Sequence, residues 1–490
     1  MRGMQAKKIQ QNLQKRKHLF VAIMPALLVF FSMQAAAQNQ ASVQVNGETG
    51  RHIAISDSQA ISVDFVGSQD AVQSLQSGQA QPLSLDRGDF DEDGIEDLVA
   101  GYSSPKGKGM VVLFRGNLDA FAPQSEGSWL AIGRGQFPPT FLSIGATFPL
   151  SAAADFLGAG NFLGSGHLDV VAAARGGNTL YFLAGNGSGN LGVPEPIQLP
   201  GALSAMAAGR FGASNSRSTV IVGVSGPKPA VLVYSGSSQG LSPTGQFALN
   251  APATSFAFDD VDGDGQPDVI MVTGRRISIL HASGPGGKPQ LETLSLPISA
   301  VAVTTGFFVH DRGWRRQIAV LDAAGSVHVV AHGGFDSRGW TKAEVAIMRN
   351  ALRNGRPNPF ARTEAGPATD GWKIVETLPA IASARSSGAI MVSSRIFGQG
   401  TDDVLVLDSD SGKIAVATHP RVTHGASSFI PAKLSTRLYS AGAPVAALSF
   451  PVNVDAREGL VVLHRGQTMP AVMMPAAVGS LTSQSTQEAK

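Results

Sequence analysis

Two distant stretches of this chain carry one pattern: Asp89–Asp97 reads DFDEDGIED and Asp260–Asp268 reads DVDGDGQPD. Each has Asp at positions 1, 3, 5 and 9 and Gly at position 6. An apolar run follows at once, Leu98-Val99-Ala100 in one and Val269-Ile270-Met271-Val272 in the other. Two unit charges about 5 Å apart repel by roughly 3 kcal/mol at an effective dielectric near 20. A loop this acidic therefore needs a counter-charge to fold. Oxygen donors at alternate positions curl around a hard cation, and Gly at position 6 permits the sharp turn. Position 7, Ile95 or Gln266, would offer its backbone carbonyl. Calcium suits such a flexible all-protein cage better than magnesium. An EF-hand is excluded, since position 12 is Ala100 in one copy and Met271 in the other and the flanks read as strands.

The pattern belongs to a longer repeat. Gly160–Ala173 (GNFLGSGHLDVVAA) is a decayed copy that keeps Phe162, Gly166 and Asp169. Fainter copies lie at Gly209–Val224, Gly306–Leu321, Arg395–Leu407 and Ser449–Leu463, which makes seven units. After each loop and its strand comes a second alternating segment, as in Met110–Phe114, Thr179–Leu183, Ala230–Tyr234, Ile277–Leu280, Val327–Val330 and Lys413–Val416. Alternation bounded by Gly, Asn and Ser is the strand signal. Four short strands repeated seven times predict an all-β fold, a seven-bladed β-propeller whose closure leaves only short sheet edges. The propeller is expected over 82–476, with a polar tail at 477–490. Thr341–Asn354 has helical spacing and should sit in an inter-blade insertion. Residues 38–81 contain strand-like Ile53–Ile55 and Ile61–Phe65, and are expected to supply the outer strand that the seventh unit lacks.

These residues closely resemble the FG-GAP, or VCBS-type, repeat of integrin α-subunit propellers and of many secreted bacterial proteins. The resemblance covers roughly residues 82–476 and is sharpest at Asp89–Asp97 and Asp260–Asp268. It implies calcium in the loop joining the first two strands of a blade. It then makes Asp89, Asp91, Asp93 and Asp97 one ion's side-chain ligands, and Asp260, Asp262, Asp264 and Asp268 another's. The third copy offers Asn161, Ser165 and Asp169 but has Leu163 where a ligand is needed, so its cage is incomplete. The remaining copies lack enough carboxylates, and no ion is expected in them.

The first 37 residues pair a basic start with the apolar run Leu19–Met33 and then Ala35-Ala36-Ala37, the layout of a secretory signal peptide. The run is short for a membrane anchor and is broken by Pro25. Export makes the chain secreted, periplasmic or cell-surface, with no membrane span after cleavage. With no cysteine there is neither a disulfide nor a lipid attachment point. The net charge of +2 comes from the leader, which holds six of the 38 Lys and Arg and no acid. A nucleic-acid surface therefore has no electrostatic support.

Several motifs read as structural. Arg87-Gly88-Asp89 spells an adhesion tripeptide, but Asp89 is committed to the ion loop. Gly236-Ser237-Ser238-Gln239-Gly240 matches a nucleophile elbow, which requires a following helix that Pro243 argues against. His328 and His332 share a strand face about 13 Å apart, too far for one metal, and read as strand-surface histidines. Arg312-Gly313-Trp314-Arg315-Arg316, with Trp340 and Trp372, is the first candidate for a ligand surface. No nucleophile–base set stands outside the ion loops. The expected function is a non-catalytic module for an extracellular protein or carbohydrate. The alternative is a secreted polysaccharide-degrading lyase or hydrolase with catalytic groups from different blades, and a third reading is a spacer module.

Overall fold

The computed structural model describes residues 55–475 apart from 61–62, 135, 213–216, 238–239, 283–286, 361–370, 379–389, 397–400, 409–411, 419–432, 440–441 and 455–457. The leader and the tail expected from sequence lie outside the described residues. Seven antiparallel sheets follow one another as blades, over 81–150, 156–198, 202–248, 253–294, 300–378, 390–439 and 444–475. The first strands of the blades touch in order, and Pro444–Pro451 of blade 7 meets Gln81–Gly88 of blade 1, so the ring closes. The chain is a seven-bladed β-propeller.

Among the described residues blade 7 has three strands of its own. Its outer edge is filled by Ile55–Ala60, which runs antiparallel to Ala471–Pro475. The next strand, Asp64–Val66, then pairs in parallel with Phe141–Leu150 at the outer edge of blade 1. The helix Gln69–Gln76 that follows buries Ala71 and Leu75, four residues apart, against the cluster shared by blades 1 and 7. That helix is not evident in the sequence, because two apolar contacts in eight residues make a weak period.

Second strands read as continuous apolar runs because both of their faces are covered. In Asp97–Ser103, Leu98, Ala100 and Tyr102 pack toward blade 7 while Val99 packs toward blade 2. The same division repeats around the ring, with one apolar cluster between each pair of neighbouring blades. Four first strands end in Gly, at 88, 160, 209 and 306. A Cβ at Gly88 would stand 2.4 Å from Leu168 of blade 2, and one at Gly160 would stand 2.5 Å from Ser218 of blade 3. The repeated glycine thus allows the next blade to approach.

The expected helix is Lys342–Arg353, but it lies within blade 5, between its third and fourth strands, and not between blades as expected. Thr341 caps it, with Glu344 closing a capping box. Blade 1 carries two further helices at the same place, Leu118–Phe121 and Glu126–Gly133.

Blades 1 and 2 are also tied by Asp86, whose Oδ2 accepts the Ala159 N–H at 2.7 Å. Burial pushes this carboxyl up to about 6, against the Ala159 and Arg87 amides and the Arg87 guanidinium. A raised carboxyl contributes stability fully below its unfolded value and loses it as pH rises through about 6. Asp86→Asn removes the ionisation cost, which by linkage is about 2–3 kcal/mol, but keeps one acceptor of two, because Oδ1 also accepts the Arg87 N–H at 2.8 Å. Thermal melts should show the Asn variant gaining a few degrees relative to the parent chain between pH 4 and pH 7.5, on top of a constant loss from the Arg87 N–H that it no longer meets. A constant difference across that range would refute it.

Candidate metal centres

Every blade connects its first and second strands by a loop, and the repeated topology sets these loops on one face of the ring. The two acidic loops lie between Gly88 and Asp97 in blade 1 and between Asp259 and Asp268 in blade 4. Both are flanked by strands.

In blade 1 the ligand atoms of Asp89, Asp91 and Asp97 lie within 4.8 Å of one another. The backbone folds inward onto them. Asp89 accepts the Asp93 and Gly94 N–H groups at 3.1 and 3.0 Å, and Asp93 accepts the Ile95 N–H at 2.8 Å. Asp93 itself stands exposed at the rim, outside that trio. Burial, then Asp91 and Asp93 nearby, pushes Asp97 up to about 7 against the Gly116 and Phe90 amides. Asp93 is raised too, by burial and by the charges of Asp91 and Asp89. An all-oxygen set crowded enough to resist ionisation fits a hard cation. The Arg115 guanidinium, on the end of the third strand, also bonds Asp91, so one fixed positive charge already serves this loop. Glu92, with a left-handed φ of 59°, points away to His167 of the blade-2 loop.

In blade 4 the ligand atoms of Asp260, Asp262 and Asp264 are gathered within 4.8 Å. Asp260 accepts the Gly263 and Gly265 N–H groups at 2.7 and 2.9 Å, and Asp264 accepts the Gln266 N–H at 2.7 Å. Burial and the neighbouring carboxylates raise Asp262 and Asp264. A second trio, Asp262, Asp268 and His281, shares Asp262 and is buried throughout. Nothing local in the sequence shows His281, because it arrives from the third strand by register.

The third copy keeps its form without a complete donor set. Ser165 Oγ accepts the His167 N–H, and the Asn161 carbonyl accepts the Ser218 N–H. Asp169 accepts the Phe162 and Leu163 N–H groups on one oxygen and Gly185 N–H on the other. This is the arrangement of Asp97, which accepts Phe90 N–H at 2.9 Å and Gly116 N–H at 2.7 Å. Asp268 does the same with Val261 and Ala282. Position 9 therefore ties the start of its loop to the end of the third strand, apart from any ion. In blade 5 Gln317 takes this position, its Oε1 accepting Val309 N–H at 2.8 Å.

Where carboxylate sets are missing, arginines bridge blades. Asp402 of blade 6 accepts the Phe307 N–H at 2.6 Å, Arg316 Nη1 at 3.0 Å and Arg395 Nε. Arg316 also approaches Asp259 of blade 4, at 3.5 Å. Asp402→Ala strands the buried Phe307 amide and takes one partner each from Arg395 and Arg316, which keeps Asp259, at a cost of about 1–3 kcal/mol. A calorimetric melt checks this; an unchanged melting temperature would count against the bridge.

The tryptophan region divides. Arg312 lies over the Trp340 ring at 4.2 Å and bonds Glu344, so both are built into the insertion. Trp372 donates to Glu292 and packs against His332. Trp314 alone of these stands out, 60% exposed at a left-handed φ of 54°. Its ring stacks on Phe307 at 5.3 Å and 10°. His328 and His332 are buried rather than on a strand surface, because the fourth strand of blade 5 and its neighbours cover them. His328 bonds Asp322 and Thr377. Ser237 and Gly240 face each other across a strand-to-strand hairpin, and residues 238–239 of the elbow motif lie outside the described residues. In the Arg87-Gly88-Asp89 tripeptide, Arg87 pairs with Glu96 and the Asp89 carboxylate turns into its own loop.

Among the described residues no helix is long and apolar enough to cross a membrane. No family model matches the chain. No curated protein matches it either. Among solved structures it is similar to a crystal structure of BBS1N in complex with ARL6DN soaked with lead. That match has 11% identity and a TM-score of 0.48, covering 86% of this chain and 98% of that one. A mercury-soaked crystal of the same complex matches at 11% identity and a TM-score of 0.44, covering 80% of this chain and 91% of that one. The fold rests on the chain's own strands, whose register and ring order make it a seven-bladed β-propeller.

Proposed function

We propose that this chain is an exported, calcium-braced propeller that acts as a non-catalytic binding module, taking a carbohydrate on the loop face around Trp314. The leader sequence supports export, and the two oxygen-lined loops support calcium as the brace. One observation carries the ligand surface. Trp314 is held by a left-handed backbone, with one face of its indole on Phe307 and most of the side chain in solvent. A large ring left exposed on a fixed support suits stacking against a flat, weakly polar ligand such as a sugar ring.

A glycan array on the full chain should show saturable binding without product release. Trp314→Ala should weaken that binding by tenfold or more while leaving the melting temperature within a degree or two. Binding that survives Trp314→Ala, or retention of a protein in place of any glycan, would overturn the carbohydrate reading. Polymer cleavage would favour the lyase or hydrolase.

Calcium is tested separately. Chelator-treated protein should gain melting temperature on calcium addition, since ligand at a hundred times its Kd adds about 2.7 kcal/mol per site. Asp91→Ala should weaken the blade-1 response strongly, because its carboxylate belongs to the gathered trio, and Asp93→Ala should weaken it less. Glu92→Gln should change little, because that side chain leaves the loop for His167. A melt indifferent to chelator and calcium alike would refute the brace.

A further inference from the structure

We propose that the blade-4 loop holds a mixed nitrogen–oxygen site for a borderline transition-metal ion of the Zn2+ or Co2+ class, formed by Asp262, Asp268 and Nδ1 of His281. The proposal deepens the reading of the loops as cation sites and gives the two acidic loops different ions.

His281 is 9% exposed, and its Nδ1 is buried with no hydrogen-bond partner. That nitrogen lies 3.3 Å from Asp268 Oδ1 and 3.5 Å from Asp262 Oδ2. Two ligand atoms each about 2.1 Å from a tetrahedral ion stand about 3.4 Å apart, which matches both spacings. The other ring nitrogen is already committed, because Nε2 meets Glu292 Oε2 at 2.9 Å. Glu292 in turn accepts the Trp372 indole N–H at 3.2 Å. With Nε2 held by a carboxylate, Nδ1 is the ring nitrogen left for a metal, the outer-shell arrangement of metal-bound histidines. Two carboxylates facing Nδ1 require a positive charge between them, either a proton on the ring or a metal ion, and a metal ion at the spacings found takes up the ring lone pair and both carboxylates at once.

Blade 1 supplies the contrast. Arg115 and His281 occupy the same place in their blades, each immediately before the amide that bonds the position-9 carboxylate. Arginine brings a fixed charge and no donor lone pair, so the blade-1 loop keeps an oxygen-only set suited to a hard ion. Imidazole shifts the blade-4 preference toward softer metals.

The test is Co2+ titration of the metal-stripped full chain, followed by visible d–d absorption and by paramagnetically shifted imidazole proton resonances. One equivalent should develop the absorption and shift one histidine, with Zn2+ displacing the Co2+ and equal Ca2+ leaving it in place. His281→Ala should abolish the band while calcium still raises the melting temperature through blade 1. Glu292→Gln, on a partly exposed side chain, should fold normally and bind Co2+ about 10–100-fold more weakly. Asp93→Ala should leave the band intact. A calcium response without any cobalt band overturns this proposal alone, and identifies His281 as an imidazolium bridging the carboxylates. A band that persists in His281→Ala overturns it as well. Failure of both metals to bind overturns the cation-site reading of the loops itself.

Discussion

Removing Ile55–Ala60 is expected to lower the melting temperature of the propeller by roughly 5–10 °C. The segment pairs Ile55 with Pro475, Ser56 with Met474, Gln59 with Val472 and Ala60 with Ala471. Four such pairings at about 1 kcal/mol per net hydrogen bond amount to roughly 4 kcal/mol. The loss is not confined to one edge. The same stretch of chain continues to Asp64–Val66 on the outer strand of blade 1, so it clasps the two blades between which the ring closes. Inside that clasp, Phe141 of blade 1 packs on Phe450 of blade 7 at 5.2 Å. Without the outer strand, the backbone edge of Ala471–Pro475 is left unpaired. Differential scanning of the truncated and intact chains decides the matter. Equal melting temperatures would show that the inner strands close the ring unaided.

Much of this architecture is legible in residue order because its signals are local. Asp-x-Asp-x-Asp-Gly followed by a β-branched run gives loop and strand together. Thr341 with Glu344 three residues later marks the start of the blade-5 helix, and Pro243 argues against a helix where the strand Gly240–Ala248 runs. Other features depend on what packs from outside. His328 and His332 alternate like surface residues, yet blade neighbours bury them. Val99 and Leu98 look equivalent in sequence, and only the ring makes them face different blades. Within the candidate sites the carboxylates were readable from their spacing. Arg115 and His281, which set the charge and donor chemistry of each loop, stand 18 and 13 residues past their position-9 Asp and reach the loop carboxylates across the sheet, Arg115 at Asp91 and His281 at Asp268. No periodicity within the chain records that pairing.

The other large effect is expected at the ninth loop position, where two roles of a carboxylate separate. Asp97 and Asp169 are each 1% exposed, and each spends both oxygens on backbone N–H groups. Truncation to Ala leaves two donors unmet at each site, each costing about 1–3 kcal/mol. They are Phe90 and Gly116 at Asp97, and Leu163 and Gly185 at Asp169, where Phe162 N–H keeps the Gly160 carbonyl. Asp97→Ala and Asp169→Ala should therefore destabilise the fold by similar amounts, about 2–6 kcal/mol, in metal-free buffer. Calcium divides them. The Asp169 variant should keep the full calcium-dependent rise in melting temperature, because its loop has Leu163 at position 3. The Asp97 variant should also lose the blade-1 part of that rise. Asn at either position restores one acceptor and should recover part of the stability. Melts of the four variants with and without calcium provide the measurement, and a silent Asp169→Ala would show that the hydrogen-bond tie contributes little. If both Ala variants lost the calcium response equally, the decayed third copy would have to be counted among the ion-binding loops.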